Sequence, residues 1–119
     1  MLQYIAPQIK RMPNLTTELV QSKSGLTLKL AGEVNARTIP SIWVGKIFET
    51  LFQAGAEYLI VDLLAVERID AYGLRFLLKL QKELADNHVE IILQNPAPSL
   101  HRLFTILKFD DTFTVRMVH

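Results

Sequence analysis

The chain has 119 residues, half of them hydrophobic, with 13 Lys and Arg against 12 Asp and Glu and no Cys. That length suits one domain with a core large enough to need no metal or disulfide staple, and the lack of Cys excludes disulfides and thiolate chemistry while fitting a reducing compartment. A net charge of +1 leaves no electrostatic footprint for nucleic acid or for an anionic membrane surface.

The first residues, Met1 to Ala6, lack the basic start and long apolar run of a secretory signal. No window is apolar enough to span a bilayer: residues 34–45 are interrupted by Asn35, Arg37 and Pro40, and residues 76–84 by Lys79, Lys82 and Glu83. The expectation is a cytoplasmic, bacterial protein with no membrane insertion.

Residues 1–15, broken by Pro7, the Lys10-Arg11 pair and Pro13, fit neither helix nor strand and read as a loose N-terminal arm. The domain is expected over residues 16–119. Leu26, Leu28 and Leu30 alternate with Thr27 and Lys29, which predicts a strand with one buried face. Residues 17–22 form its hairpin partner, turning near Ser24 and Gly25. Thr38 is placed to cap a helix with Pro40 in its first turn. Ile39, Trp43, Ile47, Leu51 and Ala54 recur at helical spacing, and Gly55 reads as the C-cap.

Residues 58–63 are a nearly continuous apolar run, which predicts a central strand covered on both faces. After a short loop, Asp70 opens a helix to about Asp86. Its apolar face is read as Leu74, Leu77, Leu78, Gln81, Leu84 and Ala85, opposite Arg75, Lys79, Lys82 and Asp86. Residues 89–93 are a further strand. Pro96 and Pro98 break the chain, Ser99 is placed to cap a short helix through Leu107, and residues 113–117 close the domain as an edge strand. Strands alternating with helices after an opening hairpin predict an α/β domain with a partly parallel sheet.

Reactive constellations are missing. There is no nucleophile elbow, no dinucleotide fingerprint and no phosphate-cradling Gly-Lys-Ser/Thr. His88, His101 and His119 have no second ligand at metal-binding spacing. Two carboxylates stand out. Asp62 lies near the carboxyl end of the central strand and Asp70 at the start of the next helix, where an α/β sheet usually presents its functional crevice. Each also has a structural explanation: loop amides can satisfy Asp62, and Asp70 suits an N-cap. Gly73, in the first turn of that helix, costs about 1 kcal/mol against Ala. Either tight helix-to-sheet packing or close approach of a partner would offset it. Trp43, Phe48, Phe52 and Phe76 wrap more of their helices than one core stripe needs, so any left exposed would make an interaction patch.

The stretch from Ile60 to Leu74, with Val66-Glu-Arg-Ile-Asp70-Ala-Tyr-Gly-Leu74 at its end, resembles the switch loop of the STAS domain (sulphate transporter and anti-sigma-factor antagonist), whose pattern reads Asp-Leu-Ser-x-Val-x-x-Ile-Asp-Ser-Ser/Thr-Gly-Leu. Leu30-Ala-Gly-Glu-Val-Asn35 resembles the family's Leu-x-Gly-Glu-Leu-Asp. The strand over residues 89–93, Pro98 and the run from Leu103 to Asp110 resemble its closing segments. The resemblance covers about residues 17–116. It implies a mixed sheet of four to five strands packed with three to four helices.

It also implies a binding module, not an enzyme; because the chain has no phosphate-binding motif, no cofactor is expected. In that family, anti-sigma-factor antagonists use the loop and following helix to seize a kinase-like anti-sigma factor, and phosphorylation of the loop's second hydroxyl residue breaks the contact. Carried onto this chain, Asp70 falls on the loop Asp, Ala71 and Tyr72 on the two hydroxyl positions, and Gly73 and Leu74 complete the motif. Asn35 falls where the family usually has Asp. The resemblance therefore puts the partner-binding surface at Asp70, Tyr72, Gly73 and Leu74, flanked by Asn35, Asp62 and Phe76. Tyr72 stands at the phosphorylation position without a short hydroxyl, so the expectation is an aromatic contact and binding without the usual Ser/Thr switch. Pro40-Ser-Ile-Trp43 and Arg68-Ile-Asp70 resemble another branch, small subunits that bind the ATPase of bacterial lipid-transport ABC complexes. A stressosome-type scaffold and a homodimer are the remaining alternatives.

Overall fold

The computed structural model describes residues 8–118. A six-stranded sheet carries its strands in chain order: β1 (Gln8–Met12), β2 (Leu15–Gln21), β3 (Gly25–Val34), β4 (Tyr58–Ile69), β5 (Glu90–Gln94) and β6 (Thr114–Arg116). β1, β2 and β3 form an antiparallel meander, and β3 to β6 run parallel. The helices α1 (Val44–Ala54), α2 (Ala71–Ala85) and α3 (Pro98–Ile106) make the three parallel crossovers. Crossovers of one hand, each stepping one strand further in the same direction, must lie on one face of a sheet. The core agrees: Ile47 and Leu51 of α1, Leu77, Leu80 and Leu84 of α2, and Leu100 and Phe104 of α3 share one cluster with Leu26, Leu28, Leu30, Leu59, Val61, Leu63, Ile91 and Leu93.

The mixed α/β architecture and the predicted alternation of elements are found, with one strand more than expected. The extra strand is β1, in residues read from the sequence as part of a loose arm; residues 1–7 of that arm lie outside the described residues. β1 has its register on β2 from Gln8↔Leu19 to Met12↔Leu15. On its helix-facing side, Lys10 places its ammonium 5.1 Å from the Trp43 ring centroid, a cation–π contact that closes β1 over the start of α1.

α1 starts later than its spacing predicts. Residues Ile39–Ser41 form one 3₁₀ turn, Ile42 is extended at φ −77° and ψ 126°, and α1 begins at Val44. Ile42 itself is buried, so the break tucks an apolar side chain under the helix that a continuous helix would carry past the core. Gly55 ends α1 in the left-handed region, φ 60°, where a residue with a Cβ is strained.

β4 corrects two expectations. It is central, but all the crossovers fall on one side, so no helix of the described residues covers its other face, on which Ile60 is nonetheless buried. It also runs through Ile69 with no loop before Asp70. Two bulges explain why this was not legible. Lys29↔Asp62 and Ala31↔Ala65 are both in register, as are Gly32↔Val66 and Glu33↔Arg68, so β4 carries one extra residue at each step. Leu64 and Ala65, then Glu67 and Arg68, are consecutive exposed pairs between buried Leu63, buried Val66 and half-buried Ile69. Doubled positions of this kind erase the two-residue period by which a strand is read.

The buried stripe of α2 is Gly73, Leu77, Leu80 and Leu84. Leu80 replaces Leu78 and Ala85 of the predicted face, both of which are exposed. α3 begins at Pro98 with Ala97 as its cap residue, and the Ser99 side chain does not cap it.

Candidate partner-binding site

The carboxyl ends of β3 and β4 lie side by side, with Val34 in register with Ile69. Just past each strand end stands a polar residue that organises the next segment of chain. Asp70 is extended, at φ −103° and ψ −173°, and its Oδ1 accepts the Gly73 N–H at 2.9 Å. Its own N–H donates to the Val34 carbonyl at 3.2 Å. The predicted N-cap is therefore real, and it also stitches the start of α2 to β3.

Asn35 has the equivalent role after β3. Its Oδ1 accepts the Arg37 N–H at 2.9 Å and the Thr38 N–H at 3.2 Å. Thr38 is buried and replies: its Oγ1 donates to the Glu33 carbonyl at 2.9 Å and accepts the Asn35 N–H at 3.0 Å. Residues 33–38 thus form a closed polar loop in which both side chains bond backbone groups of the turn, with the Thr38 N–H shared between the Asn35 side chain and the Asn35 carbonyl at 3.1 Å.

Asp70 and Asn35 together form a ridge between two open grooves. One, of ≈ 540 Å³, is lined by Met12, Asn14, Asn35, Arg37, Asp70 and Tyr72 among others. The other, of ≈ 500 Å³, runs between the end of β4 and the start of α3, along Val66, Arg68, Ile69, Ser99, Leu100 and Leu103. Tyr72 stands at the first groove with 57 % of its surface exposed, and the Arg75 guanidinium lies 5.8 Å from its ring centroid. An exposed phenol steadied by a neighbouring cation, beside a polar groove, is suited to burying aromatic area against a partner while its hydroxyl finds a polar group.

The seven residues singled out from sequence are not one patch. Asp70, Tyr72 and Asn35 converge. Leu74 and Phe76 are half-buried and pack against the core. Gly73 is buried, and the close approach it allows is to the chain's own Val34 and Ile69: a Cβ there would lie 2.7 Å from the Val34 carbonyl oxygen. Asp62 sits in the middle of β4, where its Oδ1 accepts the Leu64 N–H at 3.0 Å and so clamps the first bulge; it lines neither groove. Of the aromatic residues, Phe52 is exposed and stacks on Phe48 at 5.9 Å between centroids. Among the described residues no three His, Asp or Glu side chains gather as metal ligands do, and no helix is long and apolar enough to cross a membrane.

Sequence reasoning missed Met12, Asn14 and Arg37, which the β1–β2 turn and the loop after β3 bring to the groove. One signal was available: Pro13-Asn14 is a turn-forming pair, and in the structure Asn14 holds a positive φ of 68°, a conformation for which Asn is among the favoured side chains.

The STAS domain family model matches residues 16–119. The chain belongs to the STAS domain family. Solved structures agree on the fold. The anti-sigma factor antagonist SpoIIAA in its unphosphorylated form is 19% identical, with a TM-score of 0.64 over 96% of this chain and 90% of that one. An anti-sigma factor antagonist from Mycobacterium paratuberculosis is 21% identical, with a TM-score of 0.70 over 87% of each chain. A putative anti-sigma factor antagonist from Thermotoga maritima is 16% identical, with a TM-score of 0.68 over 85% of each. A comparison with curated protein sequences gives no match. At these identities the likeness speaks for the STAS fold alone.

Proposed function

We propose that this STAS domain is a non-enzymatic regulatory module that binds a kinase-like anti-sigma factor through the loop and helix beginning at Asp70. The observation that carries the reading is Tyr72, 57 % exposed at the mouth of a groove shared with Asp70 and Asn35. An exposed aromatic side chain next to a rigid, capped helix start contributes to binding at little conformational cost. The similar solved structures named as anti-sigma factor antagonists support this choice of partner.

One of those relatives, the Bacillus cell fate determinant SpoIIAA, has also been solved in a phosphorylated form. Here Ala71 and Tyr72 occupy the two positions where the family pattern has hydroxyl residues. Control by Ser/Thr phosphorylation of this loop is therefore not part of the proposal; binding is constitutive or controlled elsewhere.

The test is affinity capture of the tagged protein from its host's lysate, with Tyr72→Ala in parallel. Recovery of a kinase-like anti-sigma factor by the parent chain and its loss with Tyr72→Ala is the expected result. Recovery of an ABC-transporter ATPase instead replaces the reading with the transport-subunit alternative. Recovery of paralogous STAS proteins alone replaces it with a scaffold.

A further inference from the structure

The sheet has a face that no helix of the described residues covers. On it the register lays alternate side chains in rows across the strands. One row is Val20, Thr27, Ile60, Ile92 and Thr114. The next is Ile9, Glu18, Lys29, Asp62, Gln94 and Arg116. Ile60 and Ile92 are buried yet stand apart from the core cluster on the helix side. Beyond the charged row, the first β4 bulge lifts Leu64 out of the face with 71 % of its surface exposed. Beside it lie the small side chains of Thr16 and Ala31.

We propose that this face is covered by a second copy of the chain, in a sheet-on-sheet dimer whose two-fold axis runs along the strands between β3 and β4. Such an axis keeps position along the strands and reverses their order. Lys29 then faces Asp62 of the second copy, and by symmetry Asp62 faces its Lys29. Val20 faces Ile92 and Thr27 faces Ile60. Glu18 faces the neutral Gln94, and Arg116 faces Ile9, so no like charges are opposed along this row. Leu64 falls over the shallow step made by Ala31 and Thr16. The alternative in-plane axis, along the charged row itself, sets Lys29 on Lys29 and Asp62 on Asp62, which like-charge repulsion disfavours. Aligned sheets packed about 10 Å apart are the ordinary way two such faces meet, and a face that pairs with itself about a two-fold axis closes at two copies. The dimer lies on the sheet face opposite the helices, away from Tyr72 on α2, and it does not depend on the partner proposed above.

Sedimentation velocity over about a hundredfold range of concentration tests this. The parent chain is expected to pass from monomer to dimer. Lys29→Asp and Asp62→Lys should each raise the dimer dissociation constant by about tenfold or more, and the double exchange should recover most of that loss. Because Asp62 also clamps the bulge, Leu64→Lys serves as a second probe; at so exposed a position it should weaken the dimer while leaving the melting temperature of the dilute protein unchanged. Tyr72→Ala should leave the dimer constant as it was. A chain that stays monomeric throughout, a dimer insensitive to Leu64→Lys and the charge exchanges, or a dimer lost with Tyr72→Ala would each overturn the proposal.

Discussion

Gly73 lies directly beneath the carbonyl of Val34. A Cβ at this position would stand 2.7 Å from that oxygen and 2.5 Å from the Ile69 Cγ1, and the same carbonyl accepts the Asp70 N–H. β3 therefore sets the closest distance at which α2 can begin. Intrinsic propensity favours Gly73→Ala by about 1 kcal/mol. Overlap with backbone has no cheap relief, and overpacking of this kind costs about 1–3 kcal/mol. The expected outcome is a net loss of stability, read as a lower urea midpoint at unchanged slope. A midpoint equal to or above that of the parent would show that the helix start can shift without penalty.

Asp70 separates two roles by substitution. Asp70→Ala removes the acceptor of the Gly73 N–H and should cost about 1 kcal/mol. Asp70→Ser restores a capping oxygen without the charge, so most of that stability should return. If the carboxylate itself meets the partner, affinity for the captured protein stays low in Asp70→Ser although the fold is repaired. Parallel recovery of both quantities would assign Asp70 to capping alone.

Tyr72 should behave in the opposite way. Its ring is exposed, and its visible intramolecular contact is with Arg75, so Tyr72→Ala should change unfolding free energy by less than about 1 kcal/mol. Loss of an aromatic anchor from an interface typically costs about 2 kcal/mol or more. Titration calorimetry on the purified pair measures this directly. An affinity within about twofold of the parent would remove Tyr72 from the interface.

The polar loop after β3 gives a stability prediction independent of any partner. Thr38→Val keeps the shape of a side chain that is 5% exposed but strands the Asn35 N–H and removes a bond to the Glu33 carbonyl. Leaving such groups without partners costs about 1–3 kcal/mol. Asn35→Ala, which removes the acceptor of the Arg37 amide and one of the two acceptors of the Thr38 amide, should cost about 1 kcal/mol. Thermal and denaturant unfolding check both, and a Thr38→Val chain as stable as the parent would mean water replaces the hydroxyl.

What was legible along the chain was what is local. The Asp70 cap depends on a side chain and an amide three residues apart, and the Gly55 cap on the conformational freedom of one residue; both were read correctly. The β3 strand was equally readable, because Leu26, Leu28 and Leu30 alternate without interruption. β4 was not, since its two bulges put paired residues on one face. β1 was missed because its pattern of Lys10, Arg11 and Met12 has no apolar face of its own; it is held by pairing with β2 and by the Trp43 ring.

By itself, then, the amino-acid sequence determined the alternation of elements from β2 onward, the Asp70 and Gly55 caps and the STAS motif from Asp70 to Leu74, all of them set by neighbours within a turn or two. The order also implies that the crossovers share one face, since their hand is not free. Only the tertiary structure decided why position 73 is Gly, which of Asp62 and Asp70 reaches the grooves, and that Met12, Asn14 and Arg37 line one of them with Tyr72. Those answers depend on distances between strands far apart in sequence, and a bulge of one residue in β4 is enough to change them.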